Sequence, residues 1–264
     1  MLKLYHFLLA TCGTKVRFVL AEKGMDYEEC ILDPDAGDLT TPEYLKLNPN
    51  GVVPTLVHDD HVITESSVIM NYLEDLDPES SLRPPAAYER AKMNTWMKLA
   101  DEKYLSALGA LTYATLIRPK LLALDQQSRE EEYGKTQDPE RRSLKRDLIE
   151  QGLDSKVIPG ALKALDGMLD RIENSLAEGE YLAGVTYSLA DAAIAPFVYR
   201  LSLMNLLQNP ETQRPALLAW WDRIQSRPSY DAVIRNSMDS GVEQLIRAIT
   251  EPELPRIYDI ITSH

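Results

Sequence analysis

The chain has 264 residues, enough for one large domain or two small ones, and 44% of them are hydrophobic. Its 28 Lys and Arg against 41 Asp and Glu give a net charge of -13, which opposes binding to nucleic acid or anionic lipid. Two cysteines are too few for a disulfide framework, and no run approaches the roughly 18 apolar residues of a membrane span. We therefore expect a cytoplasmic protein that binds neither nucleic acid nor membranes.

The first 77 residues alternate between strand and helix patterns. Residues 2–7 predict a strand, and the next segment predicts a helix that ends at Gly24. A second strand is predicted over residues 27–32, and it would bury Cys30. The later elements predicted here are a short helix from Pro42 capped by Thr41, a hairpin over 53–64 with Asp59 and Asp60 at its tip, and a helix over 65–76 with Val68, Ile69, Tyr72 and Leu73 on its apolar face.

Turn residues in DPESSLRPP then indicate a domain boundary, and beyond them the spacing is helical only. One apolar helical face runs from Met93 to Leu111, and another runs from Leu162 to Leu176. Between them, residues 128–147 mix charges of both signs, a pattern typical of solvated helix and loop.

A capping pattern near the end of the chain predicts a structural element. Ser188 and Asp191 have the spacing of a capping box, which predicts the start of a buried helix and no catalytic role. The four histidines lack metal-ligand spacing, so we predict no metal site. His6 falls within the first strand and is expected to be a packed residue.

Three segments carry a resemblance to a known family. They are NPNGVVPTL at 48–56, ESSVIMNYLED at 65–75 and SLADAAIAP at 188–196. Together, in this order and spacing, they resemble the cytosolic glutathione transferases. The resemblance implies an α/β thioredoxin-like N-terminal domain over residues 1–79. It also implies an all-α C-terminal domain over residues 87–264, which contributes a hydrophobic acceptor site.

The same resemblance implies glutathione as co-substrate and a homodimer as the assembly. Within the family, the charged insert and the stretch LRPPAAYERAKMNTWMK are similar to bacterial sequences related to glutathione-dependent β-etherases. These enzymes cleave aryl ethers of the lignin type. The second substrate is therefore expected to be a hydrophobic, aromatic electrophile.

Four residues are assigned to glutathione by the resemblance. Pro54 would follow a cis peptide bond and expose the backbone of Val53 as an open strand edge, on which the main chain of glutathione can pair. The helix that begins near Ser66 would offer N–H groups and a hydroxyl to the γ-glutamyl carboxylate. Glu65 would accept from the ammonium group of glutathione. The alternatives are that Val53 and Pro54 form an ordinary bend between strands, and that Glu65 and Ser66 only cap the helix.

Several groups in the sequence are candidates for activating the thiol of glutathione. Transferases stabilise the thiolate near the start of the first helix, usually with a hydroxyl donor. Theta-like classes have a serine where Ala10 stands, and related bacterial proteins often have one where Gly13 stands. Thr11, Thr14 and Cys12 remain as candidates, and Cys12 matches the cysteine of beta-class enzymes.

Three functions follow from these candidates. The first is a transferase or β-etherase in which the hydroxyl of Thr11 or Thr14 and backbone N–H groups hold the thiolate. The second is a thiol-disulfide oxidoreductase that uses Cys12 and external glutathione. The third is a non-catalytic ligand binder. We favour the first, and Lys15 would add positive charge near Cys12 if its ammonium pointed inward. Three tyrosines could line the acceptor pocket: Tyr104, Tyr113 and Tyr199.

Overall fold

The computed structural model describes residues 1–207, 212–237 and 239–263. The chain forms two compact units. Unit 1 consists of Met1–Asp101, Arg171–Arg200 and Arg214–Met238, and unit 2 consists of Glu102–Asp170, Leu201–Gln213 and Asp239–His264. Because these units are interleaved along the chain, the domain limits 1–79 and 87–264 stay a prediction.

Unit 1 contains a four-stranded mixed sheet with the order β2-β1-β3-β4. Its strands are β1 (Leu2–His6), β2 (Glu28–Ile31), β3 (Thr55–His58) and β4 (His61–Thr64). β1 pairs in parallel with β2 and antiparallel with β3, which forms a hairpin with β4. The predicted strands and hairpin are confirmed, with Asp59 and Asp60 in the turn.

β2 lies at the edge of the sheet, so the prediction that Cys30 lies in a buried strand is wrong. Glu28 and Ile31 are exposed and Cys30 is half-buried. An edge strand has a neighbour on one side only, and charged side chains such as Glu28 commonly protect it. Lys3 on β1 pairs with Glu28 at 2.7 Å. Partial desolvation, reinforced by the Glu28 charge, raises the pKa of the Cys30 thiol, which disfavours its reactive thiolate form.

Three helices complete the thioredoxin-like part of unit 1: α1 (Thr11–Glu22), α2 (Pro42–Leu47) and α3 (Ser66–Leu76). α1 packs against α3, and the fully buried residues of this core include Leu4, Val16, Leu20, Leu56, Ile69 and Leu73. Gly24 follows α1 with φ 61°, and Thr41 caps α2, as predicted. Val68 departs from its predicted apolar face because it is 56% exposed.

Beyond α3, the regular elements of the described residues are helical, as predicted, apart from an isolated β-bridge between Tyr181 and Gly184. The α-helices are α4 (Ala87–Leu99), α5 (Leu105–Thr112), α6 (Arg118–Leu122), α7 (Gln126–Gly134), α8 (Pro139–Gln151), α9 (Ile158–Ser175), α10 (Leu189–Leu203), α11 (Pro215–Gln225), α12 (Pro228–Tyr230), α13 (Ser240–Thr250) and α14 (Leu254–Thr262). π-helical turns occupy Ala100–Tyr104, Tyr113–Ile117 and Asp231–Arg235. Within the described ranges, none of these helices is both long and apolar enough to cross a bilayer.

The charged insert forms α7 and α8 in unit 2, and it has a small apolar core of its own. Tyr133 on α7 is fully buried in a cluster with Leu121 and Ile149. Its hydroxyl donates to the carboxylate of Glu150 at 3.0 Å. Burial and this acceptor together raise the pKa of Tyr133 to about 12. The prediction of solvated helices is confirmed for the charged residues, whereas Tyr133 anchors the insert.

The capping box at the start of α10 is confirmed and is entirely structural. The N–H and hydroxyl of Ser188 both donate to one carboxylate oxygen of Asp191 at 3.0 Å. The other oxygen accepts from the Leu182 N–H at 3.0 Å and from Nε1 of Trp220 at 2.9 Å. Complete burial raises the pKa of Asp191 to about 6. Four donors on one buried carboxylate leave it no room for catalysis.

Candidate active site

The segment before β3 presents an unpaired stretch of backbone. The Val53–Pro54 peptide bond is cis, as predicted. Neither the N–H nor the C=O of Val53 forms a hydrogen bond with another described residue. These two groups are therefore free to pair with an extended ligand in the manner of an added strand.

Buried polar side chains hold this stretch from behind. The Tyr44 hydroxyl and the Asn48 amide both donate to the carbonyl oxygen of Val52, at 2.6 and 2.8 Å. The same two side chains contact Oγ1 of Thr55 at 3.0 and 3.2 Å. Burial raises the pKa of Tyr44, which keeps its hydroxyl a donor. These hydrogen bonds engage Val52 and Thr55 and leave the N–H and C=O of Val53 without a partner among the described residues.

A second set of free groups lies at the start of α3. Ile69 is the first residue of this helix whose N–H finds an intrahelical acceptor, the Glu65 carbonyl at 2.9 Å. The N–H groups of Ser66, Ser67 and Val68 thus have no acceptor among the described residues, and they carry the partial positive charge of a helix N-terminus. An anion can bind to these groups.

Glu65 directly precedes α3, but its side chain does not cap the helix. Its φ is 67°, an uncommon value for a residue with a side chain, and the side chain is exposed. A carboxylate therefore stands free in solvent beside the anion-binding N–H groups, while the Ser66 side chain is buried at the helix start. The pair offers complementary groups to a zwitterion, and capping alone does not account for Glu65.

The start of α1 is a similar helix N-terminus. The helix begins at Thr11, so Cys12 lies inside its first turn rather than before it, and Ala10 provides no side-chain cap. Among the described residues, the N–H groups of residues 11–13 have no acceptor, because the first intrahelical bond is that of the Thr14 N–H to Ala10 at 2.9 Å. Thr11 and Cys12 are both half-buried.

Thr14 is poorly placed for the catalytic role predicted from the sequence. Its side chain is buried, and its hydroxyl donates to the carbonyl oxygen of Ala10 at 3.0 Å. A hydroxyl whose proton is already bound to the helix backbone cannot donate it to a thiolate at the same time. The geometry therefore leaves Thr11 as the hydroxyl candidate and Cys12 as the thiol candidate.

Close packing explains why no serine stands at position 13. A Cβ atom on Gly13 would lie 2.9 Å from Cβ of His6. His6 is fully buried, as expected for a packed residue, and its Nε2 lies 2.9 Å from a carboxylate oxygen of Glu29. Burial and the nearby Arg17 charge lower the pKa of His6, although Glu29 opposes this effect.

Lys15 does not present a free charge to Cys12. Its ammonium group is fully buried and lies 2.8 Å from Oδ1 of Asp101. The same nitrogen lies 5.3 Å from the centre of the Phe197 ring. Asp101 therefore balances the positive charge that the sequence analysis placed near the Cys12 thiol.

The tyrosines proposed for the acceptor pocket are packed in the protein. Tyr104 and Tyr199 are buried, and Tyr113 packs against the apolar cluster around Tyr133 in unit 2. Tyr104 and Tyr199 are therefore not open lining residues, whereas Tyr113 is half-buried. Across the described ranges, no three His, Cys, Asp or Glu side chains are arranged to hold a metal ion.

Two family models match this chain. The family model described as "Glutathione S-transferase, N-terminal domain" matches residues 1–75, which include all the free backbone groups above. The model described as "Glutathione S-transferase, C-terminal domain" matches residues 126–223.

Individual relatives match over most of their length. Protein LigF of Sphingobium sp. strain SYK-6 is 32% identical, over 89% of this chain and 94% of LigF. The crystal structure of beta-etherase LigF aligns with a TM-score of 0.80 at 31% identity, over 89% of this chain and 99% of that chain. The tetrachloro-p-hydroquinone reductive dehalogenase of Sphingobium chlorophenolicum is 28% identical, over 87% and 93%. The glutathione-bound theta class transferase of Xanthomonas axonopodis pv. citri aligns with a TM-score of 0.66 at 25% identity, over 90% and 98%.

Proposed function

Because the chain belongs to the glutathione S-transferase family, whose enzymes use glutathione as co-substrate, we propose that it transfers glutathione to a hydrophobic, aromatic electrophile. The thiol of glutathione loses its proton, and the thiolate forms a C–S bond with the electrophilic carbon. The bond from that carbon to oxygen or halogen breaks, and the leaving group departs with the bonding electrons as phenolate or halide. The products are a glutathione thioether and the released anion.

Similarity to LigF is the observation that carries this proposal. It extends over 94% of LigF and is accompanied by a TM-score of 0.80. LigF is named as a beta-etherase, and the dehalogenase is named for an aromatic chlorinated substrate. Cleavage of a β-aryl ether is therefore the first reaction to test, and displacement of an aryl halide is the second.

Glutathione is proposed to bind along Val53 and α3. Its cysteinyl main chain would pair with the free backbone groups of Val53, next to the cis bond of Pro54. Its γ-glutamyl carboxylate would accept from the N–H groups at the start of α3 and from the Ser66 hydroxyl, and its ammonium group would donate to Glu65. The unpaired backbone and the uncapped helix support this placement.

The thiolate is proposed to lie against the start of α1. The N–H groups of residues 11–13 and the hydroxyl of Thr11 would stabilise its negative charge, since both offer donors without another acceptor nearby. Cys12 would be a neighbour of the glutathione sulfur. In this mechanism Cys12 forms no covalent bond.

A thiol-disulfide oxidoreductase is the second candidate, and the half-buried Cys12 in the first turn of α1 favours it. The Cys12 thiolate would attack the glutathione sulfur of a mixed disulfide and release the other thiol. A second glutathione would then attack the Cys12 mixed disulfide, which yields oxidised glutathione and regenerates Cys12. The family assignment makes the chain an enzyme, so the non-catalytic alternative is set aside.

We also propose a homodimer. Val62 on β4 and Val68 on α3 are 44% and 56% exposed, and the two elements pack beside each other in unit 1. β4 is an edge strand of the sheet. A second copy of the chain would cover this apolar surface and the open edge together.

The reaction can be identified with glutathione and three acceptors: a β-aryl ether of the lignin type, 1-chloro-2,4-dinitrobenzene and 2-hydroxyethyl disulfide. Mass spectrometry of the products should show a glutathione thioether and an equal amount of released phenol or chloride with the first two acceptors. If only the disulfide is turned over, the oxidoreductase function replaces the transferase function as the proposal.

A further inference from the structure

Four polar groups behind Val53 form a closed ring of hydrogen bonds. The Tyr44 hydroxyl and the Asn48 amide nitrogen both bond to the carbonyl oxygen of Val52, at 2.6 and 2.8 Å. The same two groups bond to Oγ1 of Thr55, at 3.0 and 3.2 Å. Tyr44, Asn48 and Thr55 are only 3%, 2% and 0% exposed, so water does not compete for these bonds.

The direction of every bond in this ring follows from the groups that form it. The Val52 carbonyl can only accept, so it binds one proton of the Asn48 amide and the single proton of the Tyr44 hydroxyl. Oγ1 of Thr55 accepts the second Asn48 proton. The Thr55 hydroxyl must then donate to the oxygen of Tyr44, whose own proton is already bound. Oδ1 of Asn48 accepts from the Asn50 N–H at 3.2 Å, which fixes the orientation of the amide. Every polar proton in the ring thus has one acceptor.

The ring secures the backbone on both sides of the residue that is proposed to pair with glutathione. Val52 directly precedes Val53, and Thr55 is the first residue of β3. The two donors occupy both lone pairs of the Val52 carbonyl, whereas the N–H and C=O of Val53 have no hydrogen-bond partner among the described residues. The protein therefore holds the free groups of Val53 in place without using them itself.

We infer that Tyr44 and Thr55 are positioning residues for glutathione: they close the ring with Asn48 and so fix the Val53 backbone in the orientation that pairs with the main chain of the ligand. The inference rests on the proposed function, because it concerns the placement of glutathione along Val53. Fixing a backbone residue costs conformational entropy. A ring that forms on folding removes this cost from the binding step. Because both side chains are buried behind the backbone, they act on affinity and not on the reacting sulfur.

Two substitutions open the ring with little change of shape. Tyr44→Phe removes one donor to the Val52 carbonyl. Thr55→Val removes the hydroxyl that accepts from Asn48 and donates to Tyr44. Each should raise Kd and KM for glutathione about five- to thirtyfold, while kcat with 1-chloro-2,4-dinitrobenzene stays within about twofold of wild type. Thr55→Ser keeps the hydroxyl and should restore most of the affinity.

The double variant gives a sharper result. Because both substitutions open the same ring, their effects on glutathione affinity should not add. Tyr44→Phe combined with Thr55→Val should bind glutathione nearly as well as the weaker-binding single variant. Affinity losses that multiply in the double variant would mean that the two residues act independently, which contradicts a closed ring.

Tyr181→Phe is the matched control. The Tyr181 hydroxyl accepts from Nη1 of Arg227 at 3.2 Å elsewhere in unit 1, so this variant also loses a tyrosine hydrogen bond, but away from Val53. Its glutathione affinity, measured by calorimetry, should equal that of wild type. If Tyr181→Phe loses as much affinity as Tyr44→Phe, or if Thr55→Ser binds as weakly as Thr55→Val, the ring serves stability only and the inference is overturned.

Backbone order parameters from NMR relaxation test the mechanism without a ligand. The order parameter of the Val53 amide should be about 0.85 in wild type and should fall towards about 0.6 when either substitution opens the ring. Weaker glutathione binding without this fall would overturn the inference, because the effect would not act through the Val53 backbone.

The binding results distinguish failure of this inference from failure of the proposed function. If wild type binds no glutathione at millimolar ligand, the proposed function fails and the positioning role fails with it. If wild type binds glutathione and both Tyr44→Phe and Thr55→Val bind it equally well, the proposed function stands and only the positioning role is overturned.

Discussion

Gly13 on α1 lies so close to His6 on β1 that a Cβ atom on the glycine would fall 2.9 Å from Cβ of the histidine. The two elements therefore require glycine at this position. The hydrogen-bond donors for the glutathione thiolate must therefore come from other positions at the start of α1. A hydroxyl at position 10 would not meet the contact with His6.

Two serine substitutions should separate these positions. Ala10→Ser adds a capping hydroxyl at the start of α1 and should stabilise the protein by about 0.5 to 2 kcal/mol. It should also raise kcat/KM for aryl electrophiles, because it supplies a further donor near the thiolate. Gly13→Ser should lower stability by about 1 to 3 kcal/mol through overpacking. Urea unfolding and 1-chloro-2,4-dinitrobenzene kinetics measure both effects, and a Gly13→Ser protein as stable as wild type would show that β1 and α1 separate easily.

Ser66→Ala tests the proposed glutathione site. Loss of a hydrogen bond to the γ-glutamyl carboxylate should weaken glutathione binding by about 1 to 3 kcal/mol. Calorimetry measures the affinity, with Ser106→Ala, a substitution of an exposed serine on α5, as the matched control. Equal affinities in the two variants would remove Ser66 from the site, and no glutathione binding by wild type at millimolar ligand would remove the site altogether.

His6 should make the protein less stable in mild acid. Its pKa is lowered in the folded state by burial and by Arg17, so the unfolded chain binds the proton more readily. The stabilisation is complete above the unfolded pKa of about 6.5 and is lost as the pH falls from there towards the folded value. Urea unfolding at pH 7.5, 6.5 and 5.5 should show this loss, and His6→Gln should reduce the slope. The matched control is His61→Gln, at an exposed histidine, which should keep the wild-type dependence of unfolding free energy on pH. If His6→Gln also keeps this dependence, groups other than His6 cause it.

Val68→Asp tests the homodimer. A carboxylate on the apolar surface of β4 and α3 would be buried at the interface, so the variant should sediment as a monomer while wild type sediments as a dimer. Val185→Asp, at a valine that is 66% exposed elsewhere in unit 1, is the matched control and should remain dimeric. A wild-type monomer at every concentration would contradict the proposal.

Local patterns predicted the order of strands and helices because those elements follow side-chain periodicity and capping. The cis bond at Pro54 was implied by the resemblance to glutathione transferases that NPNGVVPTL carries, and the helix start near Ser66 followed from the pattern of ESSVIMNYLEDL. By contrast, Tyr44 and Asn48 were not recognised as supports of Val53, although Asn48 begins the NPNGVVPTL motif and Tyr44 lies one helical turn before it. Their contact with the Val52 carbonyl depends on the position of α2 relative to β3, and the periodicity of side chains along the sequence does not determine that position.

Two other features depend on tertiary structure in the same way, whereas the bond of the Thr14 hydroxyl to the Ala10 carbonyl is local to α1. Cys30 is only half-buried because β2 lies at the edge of the sheet, and the side-chain pattern of residues 27–32 does not distinguish an edge strand from a central one. Arg200 contacts Leu9 across 191 positions of sequence, and no local pattern relates residues so far apart.

The most direct measurement of the central claim is the activity of Cys12→Ser with two kinds of substrate. If the start of α1 activates glutathione without a covalent role for Cys12, kcat/KM for a β-aryl ether or 1-chloro-2,4-dinitrobenzene should stay within about fivefold of wild type or rise, a change below ~1 kcal/mol. Any turnover of mixed disulfides should disappear. Collapse of ether cleavage or chloroarene conjugation in this variant, with folding and glutathione binding unchanged, would contradict the account and make Cys12 the nucleophile.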